Sequence, residues 1–204
     1  MNIWGFLSAA VLLTLAPGPD ILFVITQSIT RGKRAGIVFV LGLCTGLIFH
    51  IAAVSLGVSI LIKESPTAFM ILKICGALYL IYLGVKTFLS RKQATLTIGQ
   101  QNNVMPKLYR RGILMNLLNP KVILFFLAFI PLFINTDADN KALQLCFLGL
   151  LFIIQAFIIF TAVALLSSKL AGGLMGKPKV AYWINIAVSL IYAVIGISIL
   201  YVMP

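Results

Sequence analysis

Asp20, His50 and Lys121 are ionisable side chains set inside long apolar runs, and Asn116, Asn119, Gln155 and Asn185 are amides in similar company. A charge at membrane depth costs about 2.5–3.5 kcal/mol at a helix centre and is a functional candidate by default. Asp20 has the chemistry to hold a substrate ammonium or to carry a coupling proton. The plainer reading is a first-turn acid favoured by a helix dipole. Lys121 follows Pro120, where a cation beside a helix start opposes that dipole. A bound anion or a salt bridge to Asp20 would resolve the conflict, and snorkelling to the nearer surface is the alternative. His50 is the one histidine of the chain. Its titration range suits proton coupling, and a hydrogen bond to a neighbouring helix would account for it equally. The amides suit interhelical bonding and substrate contact alike.

These groups need elements to hold them, and the elements are interrupted helices. Ala16-Pro17-Gly18-Pro19-Asp20 stands in an apolar run from Ile3 to about Ile29. Two prolines and a glycine cannot continue a helix, because Pro has no N–H and its ring clashes with the preceding turn. Irregular backbone survives at membrane depth only inside protein or beside a water-filled cavity, so Pro17 to Asp20 marks a cavity. Pro120-Lys121-Val122-Ile123-Leu124 lines up with Pro19-Asp20-Ile21-Leu22-Phe23 as a second such start. Gly18 or Asn119 can occupy the N-cap, with Pro19 or Pro120 at the first helical position. The free N–H groups of such a start can hold a carboxylate.

The chain is 61% hydrophobic and 10% charged over 204 residues, with a mean hydropathy of +1.11. A soluble domain of this length cannot bury so much apolar surface. Six apolar segments, about 3–29, 36–62, 67–89, 112–134, 143–168 and 181–203, approach the roughly 20 residues that cross a bilayer. The odd-numbered connections hold twelve of the sixteen basic residues, among them Arg31, Lys33, Arg34, Arg110, Arg111 and Lys169. The other face has Lys63 and Lys141 with Glu64, Asp137 and Asp139. By the positive-inside rule the basic face is cytoplasmic and both termini lie outside. That rule also accounts for the net charge of +12 without nucleic acid. The N-terminus lacks a basic n-region and a cleavage site, and reads as a retained span.

The expected fold is an all-α membrane protein of six transmembrane helices. Two inverted three-helix repeats, 1–90 and 112–204, flank a cytoplasmic loop at 91–111, with helices one and four broken. Three spans per half is an odd number, so the halves insert with opposite topology. Cys44, Cys75 and Cys146 stand apart in apolar runs, which fits packing rather than a thiol relay or zinc site. Gly42 and Gly46 are spaced for close helix approach and permit a homodimer without requiring one. No enzyme motif is present. No cofactor or metal is implied.

Leu15-Ala16-Pro17-Gly18-Pro19-Asp20, the glycine-rich second span ending in His50, and Gly76-Ala77-Leu78-Tyr79-Leu80-Ile81-Tyr82-Leu83-Gly84 together resemble the LysE/RhtB amino-acid exporter family. Asn116-Leu117-Leu118-Asn119-Pro120-Lys121 and Trp183-Ile184-Asn185 extend the resemblance over nearly the whole chain. It implies a bacterial inner-membrane protein exporting amino acids or close derivatives in exchange for protons. Many members carry an acid in span five where this chain has Gln155, which leaves Asp20 and His50 as the titratable pair. The expected site takes Pro17, Gly18, Pro19 and Asp20 from one break and Asn116, Asn119, Pro120 and Lys121 from the other, with Gln155 and Asn185. Phe23, Phe125 and Phe126 would meet the substrate side chain if they face inward. Two other readings remain: a divalent-metal exporter, for which one His and few acids are a poor donor set, and a non-transporting membrane scaffold.

Overall fold

In the computed structural model, residues 3–16, 18–58, 66–89, 105–135 and 140–169 are described, with isolated helical positions at 182, 186, 189, 190, 193, 194 and 197. Pro17 and Asn185 lie outside the described residues, as do Glu64, Asp137, Asp139 and most of the sixth apolar segment. Every described element is a helix. They are α1 (Ile3–Leu15), α2 (Pro19–Arg31), α3 (Lys33–Ala53), α4 (Pro66–Leu89), α5 (Met105–Leu117), α6 (Pro120–Leu124) and α7 (Lys141–Lys169). A π turn at Val54–Val58 extends α3, and a π turn at Phe125–Phe129 with a 3-10 turn at Ile130–Phe133 extends α6.

Two of these helices, α3 with its π turn and α7, are long and apolar enough to cross a membrane by themselves. The pairs α1/α2 and α5/α6 each qualify as one span bent by 55° and 48°. The bends fall where the sequence places its prolines. Gly18 and Asn119 precede Pro19 and Pro120 in extended conformation, and the Asn119 side chain caps its helix by accepting from the Lys121 N–H at 3.1 Å. The helix at Met105 starts within the stretch that reads as a loop to residue 111, with Pro106 in its first turn, where no N–H is needed.

Close contacts fix the helix directions. Gly32 turns the chain between α2 and α3 at φ +81°, a conformation suited to glycine. A Cβ on Gly36 of α3 would collide with Ser28 of α2 and meet Ala164 of α7 at 3.0 Å, and one on Gly149 of α7 would strike Ile51. So α3 runs antiparallel to both α2 and α7. Gly42 and Gly46 face Tyr109, Gly112 and Asn116 of α5 in the same order along the chain, so α3 and α5 run parallel. It follows that the broken spans α1/α2 and α5/α6 run in opposite directions. The glycine face of α3 is filled by α5, so it is not a free surface for a second copy.

The core is aromatic and aliphatic, built from α1, α3, α7 and the turns after α6. Phe6, Leu13, Phe39, Leu43, Leu47, Phe125, Phe126, Leu145 and Leu148 are wholly buried or nearly so. The outer surface carries Trp4, Leu56, Leu89, Leu118 and Leu143, each more than 60% exposed, as lipid requires and water would penalise.

Candidate functional site

The two breaks meet. α1 ends at Leu15, and the Ala16 carbonyl just past it lies among the last carbonyls of the helix, which have no partner within it. The Lys121 ammonium of α6 reaches across and donates to that carbonyl at 2.9 Å. The same Nζ lies 3.9 Å from Oδ2 of Asp20 in the first turn of α2, with both side chains 4% exposed. Asn119 Nδ2 donates to the other carboxylate oxygen, Oδ1, at 2.6 Å. Lys121 therefore serves a helix C-terminus and Asp20 a helix N-terminus, each the favourable end for its charge. Its burial excludes snorkelling, and the salt bridge to Asp20 accounts for a cation next to a helix start. Gly18 leaves the room this needs: a Cβ there would stand 3.2 Å from Asp20 Oδ1 and 3.4 Å from Lys121 Nζ.

Beside the ion pair is a cavity lined by Leu13, Thr14, Asp20, Leu47, Asn116, Lys121, Val122, Phe152 and Phe160. Its volume is about 10 Å³, the lower limit for one water. His50 touches the second break from α3: its Nε2 lies 3.2 Å from the Asn116 carbonyl oxygen. That oxygen can only accept, so His50 donates there and carries its proton on Nε2. The carbonyl also accepts from the Asn119 N–H at 3.0 Å. Gln155 of α7 does not line the cavity itself but is bonded to a residue that does, donating from Nε2 to Thr14 Oγ1 at 2.9 Å.

Of the residues picked out from the sequence, Gly18, Asp20, Asn116, Asn119 and Lys121 come together at the crossing, with His50 and Gln155 in contact at its edge. Pro19 and Pro120 start their helices with exposed side chains and do not line the cavity. Phe125 and Phe126 are buried in an aromatic cluster with Phe129 and Phe152. Phe23 stacks on Phe39 with ring centroids 4.6 Å apart and lies 4.3 Å beneath the Arg111 guanidinium. The aromatic rings at the cavity are instead Phe152 and Phe160. These two, Thr14 and Leu47 escape the sequence reading; Thr14, a polar residue two positions before Ala16 in an apolar run, carried a signal. Among the described residues, no three His, Cys, Asp or Glu side chains converge.

A family profile described as LysE type translocator matches residues 11–202, a range that includes both breaks and the whole of the cavity wall. The chain belongs to the LysE type translocator family. This translocator is a multi-pass membrane protein. It is similar to the homoserine/homoserine lactone efflux protein of Salmonella typhimurium, 34% identical over 193 residues that cover 95% of this chain and 93% of that one. It is also similar to the leucine efflux protein of Salmonella choleraesuis, 32% identical over 175 residues, 78% of this chain and 81% of that one. An uncharacterized membrane protein of Vibrio cholerae is 34% identical over 167 residues, 81% of each chain. No solved structure matches the chain.

Proposed function

We propose that this translocator exports an amino acid or a close derivative across the bacterial inner membrane, in exchange for protons and by alternating access. The observation that carries the reading is the buried Asp20–Asn119–Lys121 cluster where the two breaks cross. A carboxylate and an ammonium held side by side are the complement of a zwitterion, and each has a partner to give up. The substrate ammonium takes the place of Lys121 on Asp20. Its carboxylate takes Lys121 and the Asn119 amide. A cavity of about 10 Å³ cannot admit such a ligand, so its walls must part. The names of the relatives, homoserine/homoserine lactone efflux and leucine efflux, support an amino-acid cargo.

The two halves are inverted repeats of three spans each, 1–90 and 112–204, joined on the cytoplasmic side. Opposite directions for the two broken spans support this, as a pseudo-twofold axis in the membrane plane would produce them. α4 then returns the chain across the membrane between the parallel helices α3 and α5. Asp20 carries the exchanged proton on the step of the cycle in which neither the substrate ammonium nor Lys121 holds it, and His50 is the second titratable group at the site.

Counterflow of labelled amino acids in proteoliposomes, with and without a pH gradient, tests the reading. Wild-type protein accumulates its substrate, an imposed gradient raises the accumulation, and Asp20→Asn abolishes it while the protein stays in the membrane. Wild-type rates in Asp20→Asn would overturn the central site. Indifference to the gradient would overturn proton exchange and leave amino-acid export standing.

A further inference from the structure

Hydrogen-bond donors and acceptors around the cavity are unevenly matched. The two side-chain donors at the ion pair are engaged, Lys121 Nζ on the Ala16 carbonyl and Asn119 Nδ2 on Asp20. Two acceptors are not: among the described residues, Asn116 Oδ1 and Gln155 Oε1 are buried without a partner. The Gln155 amide cannot be turned round to mend this. Its Nε2 donates to the Phe152 carbonyl at 3.1 Å and to Thr14 Oγ1 at 2.9 Å. The carbonyl only accepts, and the Thr14 hydroxyl proton is committed to the Ala10 carbonyl at 2.9 Å, so both partners require an N–H from Gln155. Oε1 is thereby fixed as the unmatched end of a side chain bonded to Thr14 and Phe152, both of which line the cavity. A buried acceptor in this state is destabilising until a donor reaches it.

From this we infer that Gln155, held by Thr14, reads the substrate side chain and selects amino acids bearing a hydrogen-bond donor there, a hydroxyl above all, over aliphatic isosteres. The inference rests on the cavity being the amino-acid site. In that reading the substrate ammonium is matched by Asp20 and its carboxylate by Lys121, so the two acceptors left over, Asn116 Oδ1 and Gln155 Oε1, fall to the side chain. Phe152, Phe160, Leu13 and Leu47 supply the apolar walls for the methylene stem. A site built to bond a hydroxyl discriminates strongly against the analogue that lacks it, because its own polar group is then left unpaired.

The test is competitive counterflow in proteoliposomes of full-length protein with isosteric pairs, threonine against valine and homoserine against norvaline. The quantity read is the ratio within each pair, which does not depend on how much protein folds. Wild type favours the hydroxyl member by about tenfold or more, and Gln155→Leu and Gln155→Met each bring the ratio close to one. Thr14→Val, which frees the amide to rotate, lowers the ratio without abolishing uptake. A ratio unchanged in Gln155→Leu and Gln155→Met overturns the inference. So does an equal fall of both members, which would assign Gln155 to the common ammonium or to packing. Asp20→Asn distinguishes the two layers: if it transports with wild-type rate and ratio, the ammonium is not held by Asp20 and the central-site reading fails, and Gln155 selectivity survives only if Gln155→Leu still loses the ratio. If wild type moves no member of either pair but moves another amino acid, the Gln155 inference falls and amino-acid export stands; if it moves no amino acid at all, both fall.

Discussion

At Lys121 one ammonium bridges the end of α1 and the start of α2, and the Asp20 carboxylate answers it from 3.9 Å away with almost no solvent on either. Desolvation takes back most of what such a pair gains, but removing one partner leaves the other charged, buried and unmatched. Lys121→Met is therefore expected to destabilise the protein by about 3–5 kcal/mol. The double variant Asp20→Asn, Lys121→Met should be more stable than Lys121→Met alone, since it strands no charge. Thermal unfolding in detergent measures both. A double variant that loses the sum of the two single effects would show that Asp20 and Lys121 act independently, against the geometry. Transport is lost in both single variants and in the double one, because a zwitterion finds one countercharge missing in each single variant and both missing in the double.

Among the elements, the α3–α5 contact is the most extensive in the bundle, and it is made of backbone. A Cβ on Gly42 would run into the Tyr109 carbonyl, and one on Gly112 would stand 2.5 Å from the Phe39 carbonyl. Neither neighbour is a side-chain tip that could swing away. Gly42→Ala and Gly112→Ala are each expected to lower stability by about 1–3 kcal/mol through overpacking. Gly57→Ala, where nothing lies within 4 Å, should cause no loss. If all three behave alike in a detergent melt, the close crossing is wrong. Much at this scale was legible in the sequence, because glycine spacing and the Pro19 and Pro120 starts act through local backbone chemistry. The start of α5 was not, since Pro106 is equally at home in a loop and in a first helical turn. The π turns at Val54–Val58 and Phe125–Phe129 have no residue signature to read. The site divides the same way. Asp20 and Lys121 stand out as charges in apolar runs, but the bond from Gln155 to Thr14 joins residues 141 positions apart. That the rings at the cavity are Phe152 and Phe160 rather than Phe125 and Phe126 depends on helix rotation, which packing decides.

For the whole molecule, the helix directions gather the basic residues at one end. Arg31, Lys33 and Arg34 lie at the α2–α3 corner. Lys107, Arg110 and Arg111 lie in α5 beside the first half of α3, and Lys169 closes α7 near Gly36. α1 and α2 have 13 residues each, or about 20 Å of helix on either side of the break. If each bent pair is one span, the ion pair falls near mid-depth, where the proposed site must be to open to each side in turn. In the orientation proposed from the positive-inside rule the basic end is cytoplasmic, and that proposal sets the direction of every span. It can be read by labelling single cysteines after Cys44, Cys75 and Cys146 are replaced by Ala. Lys33→Cys and Lys169→Cys, both at exposed positions, should react with a membrane-impermeant maleimide in inside-out vesicles alone. Asn140→Cys, exposed at the start of α7, should react in right-side-out vesicles alone. The reverse pattern would turn α2 and α5 outward and α1 and α6 inward, so that Asp20 faced the cytoplasm along α1. Labelling of Lys33→Cys and Lys169→Cys from opposite sides would break the antiparallel pairing of α3 and α7, and with it the crossing that brings Asp20 to Lys121.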